Sequence, residues 1–205
     1  MLLAIATAFR QAQGQTSGSA AGEVLVPPVD APSETDVAAA YSGRMSNMPN
    51  RVVMLQRYVR WIESRLPKSA MSVGNKPLTM TSTNLPPNAF ADVTDEQWAR
   101  MDAFYSGSAL KRLRLLPPPG AKPRTEEFYF DDGKLVYVYI DPDGANKRDP
   151  HVENGGDAFY FGKEGLFAWV RPDGRTADPG SVAFKAWGTK LLAEGNRFPR
   201  EATKP

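Results

Sequence analysis

The side chains whose types and spacing could support chemistry are concentrated in one polar loop. Its acids begin at Asp141 and Asp143, continue through Asp149 and end at Asp157. Paired carboxylates can act as general acid and base in hydrolysis, and oxygen-rich loops can bind hard cations. Gly144 directly follows the second acid and no Glu closes the loop, so its spacing is not that of an EF-hand. We therefore expect an ordinary hairpin turn here and no metal site.

The single histidine, His151, lies in the same polar loop. One histidine cannot build a histidine-based metal site, and the sequence has no G-x-S-x-G, P-loop, G-x-G-x-x-G or H-E-x-x-H motif. The acid pairs Glu126-Glu127 and Asp131-Asp132 are expected to be solvated ends of hairpins. No catalytic residue and no cofactor is predicted, while a carboxylate-based hydrolase around residues 141–157 remains an alternative.

The amino-acid composition excludes several kinds of partner, site and anchor. The 205 residues carry 25 basic and 23 acidic side chains, a net charge of +2, so nothing in the charge indicates nucleic-acid binding. The absence of cysteine excludes disulfides, thiol catalysis, cysteine-based zinc sites and a lipidated-cysteine anchor. A hydrophobic content of 41% is sufficient for a packed core.

The N-terminus resembles an export signal. Met1–Phe9 is uncharged and apolar, and the small residues Ala12 and Gly14 fit a cleavage site. No basic residue precedes the apolar run, so residues 1–14 are either a truncated signal peptide or a short helix, and they are too short to span a bilayer. Residues 15–32 have the composition of a flexible linker. We expect a periplasmic or secreted protein.

Residues 33–200 are predicted to form one α+β domain, and residues 33–107 are expected to be mainly helical. Ser33 is expected to cap a first helix, and Asn50 a second one that ends at Pro67. The capping box Thr94-Asp95-Glu96-Gln97 predicts a third helix that ends at Gly107. The arginines of the second helix are interpreted as its solvated face; they are Arg51, Arg57, Arg60 and Arg65.

From Ala109 onward apolar residues alternate with period two, and an aromatic hairpin occurs twice. Phe128 to Leu135 matches Phe159 to Leu166 at a constant offset, and each unit ends in an x-Pro-Asp-Gly turn. Residues 109–174 are thus predicted to form an antiparallel β-meander of about five strands. Amphipathic helices from the N-terminal half and from residues 178–195 should cover it, with Gly195 as the last helix's C-cap.

The pattern FYFDDGKLVYVY, with its second FYF unit and closing helix, resembles exported bacterial proteins built on duplicated aromatic "YYF-x-x-GKL" hairpins. The resemblance covers about residues 109–195. It consists of turn and core residues, so it implies a fold and carries no catalytic residue to this chain.

Four tyrosines are the best indication of function. If Phe128 and Phe130 face the core, Tyr129 faces the other side of the sheet, and tyrosines on an open sheet face could bind a protein or an envelope ligand. The predicted ligand-binding residues are Tyr129, Tyr137, Tyr139, Tyr160 and His151. Cross-strand aromatic pairing that only stabilises the sheet is the alternative. The sequence favours a non-catalytic binding domain over the hydrolase and over a structural component of an envelope assembly.

Overall fold

The computed structural model describes residues 30–45, 47–67, 74–142 and 155–202. Within these ranges the chain forms three helices and seven strands, which confirms the α+β class and raises the number of strands above the predicted five. The elements are α1 Glu34–Tyr41, α2 Met48–Ser64, β1 Thr79–Asn84, β2 Arg100–Ser106, β3 Ala109–Leu116, β4 Thr125–Asp131, β5 Lys134–Asp141, β6 Asp157–Gly162, β7 Gly165–Val170 and α3 Val182–Ala202. The proposed leader, residues 1–14, and nearly all of the linker lie outside the described residues.

The seven strands form one antiparallel sheet in chain order, and β3 to β7 are the predicted meander. Asp132 and Gly133 join β4 to β5 with positive φ angles of 48° and 70°, which is the conformation of a type I′ hairpin turn. Both duplicated hairpins shift register at the same place, between Tyr129 and Phe130 and between Tyr160 and Phe161. The repeat in the sequence is therefore also a repeat in backbone geometry.

The predicted helix over residues 94–107 is wrong, because the second half of this segment forms β2. Thr94 does accept a hydrogen bond from the backbone N–H of Glu96, at 3.3 Å, but the contact closes only a local turn. Beyond it, Met101 pairs with Leu115 and Ala103 with Leu113. Pairing with β3 and burial of these apolar side chains override the local helix signal.

The helix termini agree with the sequence in part. The Ser33 hydroxyl caps α1, and the Ser181 hydroxyl accepts a hydrogen bond from the N–H of Phe184 at the start of α3. Asn47, rather than Asn50, caps α2. Gly195 does not end α3, which continues to Ala202, so the predicted C-cap is wrong. No helix in the described ranges is long and apolar enough to cross a membrane.

Helices cover both faces of the sheet. On one face α3 packs against the phenylalanine side of the hairpins, where its residues Phe184, Leu191 and Phe198 meet Phe128 and Phe159 in one hydrophobic cluster. On the other face α1 and α2 pack against the tyrosine side. That second cluster contains Val37, Leu55, Val59, Ile62, Tyr129, Tyr137 and Tyr160. The sheet therefore separates two cores.

Candidate binding surface and buried polar clusters

The predicted aromatic binding face is not open. Tyr129, Tyr137 and Tyr160 are fully buried, and Tyr139 is 3% exposed, because α1 and α2 cover this side of the sheet. The rings pack in a row, with centroids 5.4 Å apart for Tyr129 and Tyr137 and 5.1 Å apart for Tyr137 and Tyr160. These tyrosines have the cross-strand pairing that was the alternative interpretation. His151 lies outside the described residues.

Most of the predicted acidic loop also lies outside the described residues, which stop at 142 and resume at 155. At its ends, Asp141 closes β5, and Asp157 accepts a hydrogen bond of 2.7 Å from the indole N–H of Trp169. The expectation for Glu126 and Glu127 is corrected, since both are buried and point to opposite faces of the sheet. Each of the two joins a different polar cluster.

The first cluster lies under α2 and joins this helix to β3 and β4. The Arg112 guanidinium forms a short hydrogen bond with Glu127. The phenolic oxygen of Tyr129 lies 2.9 Å from Oε2 of Glu127 and 2.7 Å from Oε1 of Glu63, which α2 supplies. A phenol has one proton, so Tyr129 can donate to only one of these two carboxyl oxygens at a time. The phenol thus bridges the two glutamates.

The charges of this cluster are nearly balanced. Burial alone lowers the pKa of Arg112, but Glu127 and then Tyr129 and Glu63 raise that pKa above its ordinary value. Arg114, with its Nε 3.8 Å from Oε1 of Glu127, is the second cation. Buried charges that are paired in this way hold the elements in register, and removing one partner alone is costly.

The second cluster lies on the α3 side and contains Glu126 of β4 and Glu194 of α3, both fully buried. Arg124 donates to Oε1 of Glu126 from Nε at 3.1 Å and forms a shorter contact through Nη2. The Lys190 ammonium lies 3.7 Å from Oε1 of Glu194. Oε2 of Glu126 and the indole N–H of Trp98 have no hydrogen-bond partner within the described part of the chain.

Burial determines the protonation of these two carboxyl groups, and their proximity adds to it. Burial and then Glu126 together raise the pKa of Glu194 to about 8, against the opposing effect of Lys190. Burial also raises the pKa of Glu126, against Arg124. The pair can hold a proton at neutral pH, but its carboxyl groups are not accessible to a substrate. In the described ranges no group of three or more acids, histidines or cysteines could hold a metal ion.

The outer face of α3 is the most unusual exposed surface. Val182 is 85% exposed and Leu192 is 40% exposed. The other exposed residues of this face are small or uncharged except for one lysine and one arginine; they are Ala183, Lys185, Ala186, Thr189, Ala193, Asn196 and Arg200. A surface helix normally directs charged and polar residues to solvent. Here, the helix is apolar toward the core and largely apolar toward solvent.

Two grooves flank this face and share Lys185 and Thr189 on the ridge between them. The first, about 650 Å³, lies between α3 and residues 92–93, and Val182, Ala186 and Ala193 line its helix side. The second, about 440 Å³, lies between α3 and the start of β7. Its apolar lining comes from Leu166, Pro179, Phe184, Gly188 and Leu192.

Charges surround the two grooves unevenly. Asp92 and Glu164 stand at their outer sides, but each already binds an arginine, at 2.9 Å to Arg197 and 2.6 Å to Arg51. Lys185 on the shared ridge forms no ion pair with any other described residue. The exposed face therefore combines apolar grooves with a lysine that forms no ion pair with any other described residue.

No protein-family model, curated protein or solved structure matches this chain. The features of the molecule itself must therefore support any function. Sequence reasoning missed the outer face of α3, although a signal was present. Val182, Ala186 and Leu192 lie on the helix side away from Phe184 and Leu191, so the apolar residues are too many for one buried stripe.

Proposed function

We propose that the protein is an exported, non-catalytic binding domain and that its partner binds on the outer face of α3. The observation that carries this proposal is the pair of apolar grooves on both sides of one exposed helix. Exposed apolar surface of this kind is typical of an interaction site. The export signal predicted for residues 1–14 supports a periplasmic or secreted location for the interaction.

The shape and charge of the surface favour an acidic amphipathic helix of another protein as the occupant. A helix can insert apolar side chains at i, i+3 or i+4, and i+7 into a groove that runs beside α3. The small residues Ala186, Gly188 and Thr189 allow a second backbone to approach closely. Carboxylates on the partner would pair with Lys185, whereas a basic partner would be repelled.

The direct test is a titration with two designed helical peptides. Both carry leucine at i, i+3 and i+7, and they differ only in having glutamate or lysine at the remaining positions. We expect saturable chemical-shift changes in two-dimensional amide spectra with the acidic peptide, centred on Ala186, Thr189 and Leu192. Equal binding of both peptides, shifts scattered over the surface, or no saturable shift would refute the proposal.

The native partner can be tested with matched variants. A photo-crosslinking residue placed at Thr189 should capture the partner. The same residue placed at Val53, which lies on α2 and is 51% exposed, should not capture it. The captured protein is then purified and titrated against the intact domain. We expect Ala186→Glu and Leu192→Glu each to weaken binding by at least about tenfold, which is about 1.4 kcal/mol. Val53→Glu should leave it unchanged, and equal losses in all three variants would contradict the assignment.

A further inference from the structure

As far as residues 30–45, 47–67, 74–142 and 155–202 show, the sheet has one open edge, at β1. All six of its residues, Thr79–Asn84, are exposed, none is charged, and Met80 is the one large apolar side chain among them, 49% exposed. Edge strands with free backbone groups are normally protected by charge, cover or irregularity, since they can pair with another strand. Within the described ranges, β1 has β2 as its one strand neighbour.

The opposite edge is protected. After β7 the chain turns back, and the N–H of Ala177 donates to the carbonyl of Trp169 at 2.8 Å. Thr176 forms a further bridge with Val170. Of the two sheet edges formed by the described residues, β1 is therefore the one that can accept another strand.

The positions of the helices also leave β1 accessible. Helices α1 and α2 pack mainly on each other; among the strands, α1 contacts mainly β6, and α2 and α3 contact mainly β5 and β7. The side chains of β1 are consequently exposed on both faces of the sheet. A strand could be added beside β1 without displacing any of the three helices.

We propose that β1 pairs antiparallel with β1 of a second copy, so that the two sheets become continuous in a two-fold symmetric dimer. An uncharged edge places no like charges opposite one another when it pairs with itself, and cross-strand pairs of threonine and serine are favourable. Pro77 and Pro86 bound the segment, which limits the pairing to a short stretch. Because the other edge is covered, association stops at two copies.

The symmetry makes a specific prediction about faces. A two-fold axis perpendicular to the sheet pairs each residue with one that points to the same face. Thr81 and Thr83 point to the α3 side, since their neighbours on β2 are Ala103 and Met101 of the α3-side core. In the dimer, Thr81 and Thr83 of one copy therefore lie close to Thr81 and Thr83 of the other copy, directly opposite or diagonally across the two strands.

Charge placed at these two positions tests the pairing. The experiment is sedimentation equilibrium of the full chain from about 10 µM to about 1 mM, a range that suits a small interface. We expect the wild-type mass to rise toward that of a dimer. The double variant Thr81→Lys/Thr83→Lys and the double variant Thr81→Glu/Thr83→Glu should each remain monomeric, and their equimolar mixture should recover a dimer of one lysine and one glutamate chain.

The matched control is Val53→Lys/Thr176→Lys, which adds the same charge on α2 and at the covered edge. We expect it to dimerise as the wild type does. Far-ultraviolet circular dichroism of all variants separates loss of pairing from loss of folding. A wild-type chain that stays monomeric at about 1 mM, a lysine variant that still dimerises, or folded variants whose mixture fails to associate would each overturn the proposal.

Discussion

The phenolic oxygen of Tyr129 lies 2.7 Å from Oε1 of Glu63, and this contact joins the centre of the sheet to α2. The same oxygen lies 2.9 Å from Oε2 of Glu127. All three groups are buried, so the hydrogen bonds form without competition from water. The tyrosine that the sequence suggested as a ligand contact thus connects two glutamates inside the protein.

Tyr129→Phe should therefore destabilise the fold without altering its shape. The change removes the hydroxyl and leaves two buried carboxyl groups without this partner, so we expect a loss of about 1–3 kcal/mol in the free energy of unfolding. Urea unfolding measures it. In a double-mutant cycle with Glu63→Gln the losses should be less than additive, because both changes disrupt one contact.

The control for this substitution is Tyr41→Phe, which removes a hydroxyl from a partly exposed tyrosine on α1. It should change the free energy of unfolding by less than about 0.5 kcal/mol. Equal effects of the two variants, or strictly additive losses in the cycle, would show that Tyr129 and Glu63 are not coupled.

The buried pair Glu126 and Glu194 should make stability depend on pH. The pKa of Glu194 is raised from its ordinary 4.5 to about 8 by burial and by Glu126. Between these values the unfolded chain releases the proton while the folded chain keeps it. The contribution of Glu194 to the free energy of unfolding is therefore fully present below its ordinary pKa of 4.5. This contribution is lost as the pH rises from there toward 8.

Glu194→Gln should flatten this dependence, because glutamine stays neutral. We expect the variant to gain about 1–3 kcal/mol relative to the wild type between pH ~5 and pH ~8. Urea unfolding at several pH values measures it, with both chains carrying His151→Gln so that the histidine does not titrate. Parallel pH profiles would contradict a protonated Glu194.

Arg51 should be more important for stability than its position on a helix surface suggests. It donates from Nε to the carbonyl of Ala40 at 2.8 Å, pairs with Glu164 at 2.6 Å and stacks 3.8 Å from the Phe167 ring centroid. Lysine cannot reproduce this fork and stacking, so we expect Arg51→Lys to cost about 1–2 kcal/mol. The exposed Arg57→Lys is the control and should be neutral. Equal melting temperatures for the two variants would refute the anchoring role.

The sequence predicted the duplicated hairpins well because their signals are local. The turn Asp132-Gly133 needs positive φ at both residues, and the turn that ends at Gly174 needs it there, with Asp173 accepting from the N–H of Arg175. Such preferences depend on a few neighbouring residues and not on the rest of the fold. The first turn therefore fixes the pairing of β4 with β5, and the second returns the chain after β7 to the bridge between Val170 and Thr176.

Residues 94–107 were mispredicted because their structure depends on distant partners. The capping box from Thr94 to Gln97 is a genuine local signal, but β2 is stabilised by β1 on one side and β3 on the other. Burial of Met101 and Ala103 in the α3-side core favours the strand over the helix. A local pattern cannot show which strand will become a neighbour.

The buried tyrosines could have been recognised. Phe128-Tyr129-Phe130 has no charged residue between its aromatic side chains, so both faces of this part of β4 are aromatic. An uninterrupted apolar strand is typical of a sheet covered on both sides, whereas an open face shows alternation. The helices in the first half supply that second cover. The outer face of α3 was harder to predict. Both sides of this helix carry apolar residues, and the sequence does not show which of the two sides packs against the sheet.

Gly195 offers a test in which the sign of the effect should reverse. A β-carbon at this position would lie 2.7 Å from Cδ2 of Leu135, so the glycine makes room for the leucine within α3. In the wild type we expect Gly195→Ala to cost about 1–2 kcal/mol through overpacking. In a Leu135→Ala background the steric conflict is gone, and alanine's higher helix propensity should make the same change stabilising by up to about 1 kcal/mol. Thermal and urea unfolding of the four chains measure both effects, and a change of the same sign in both backgrounds would show that Leu135 is not the reason for the glycine.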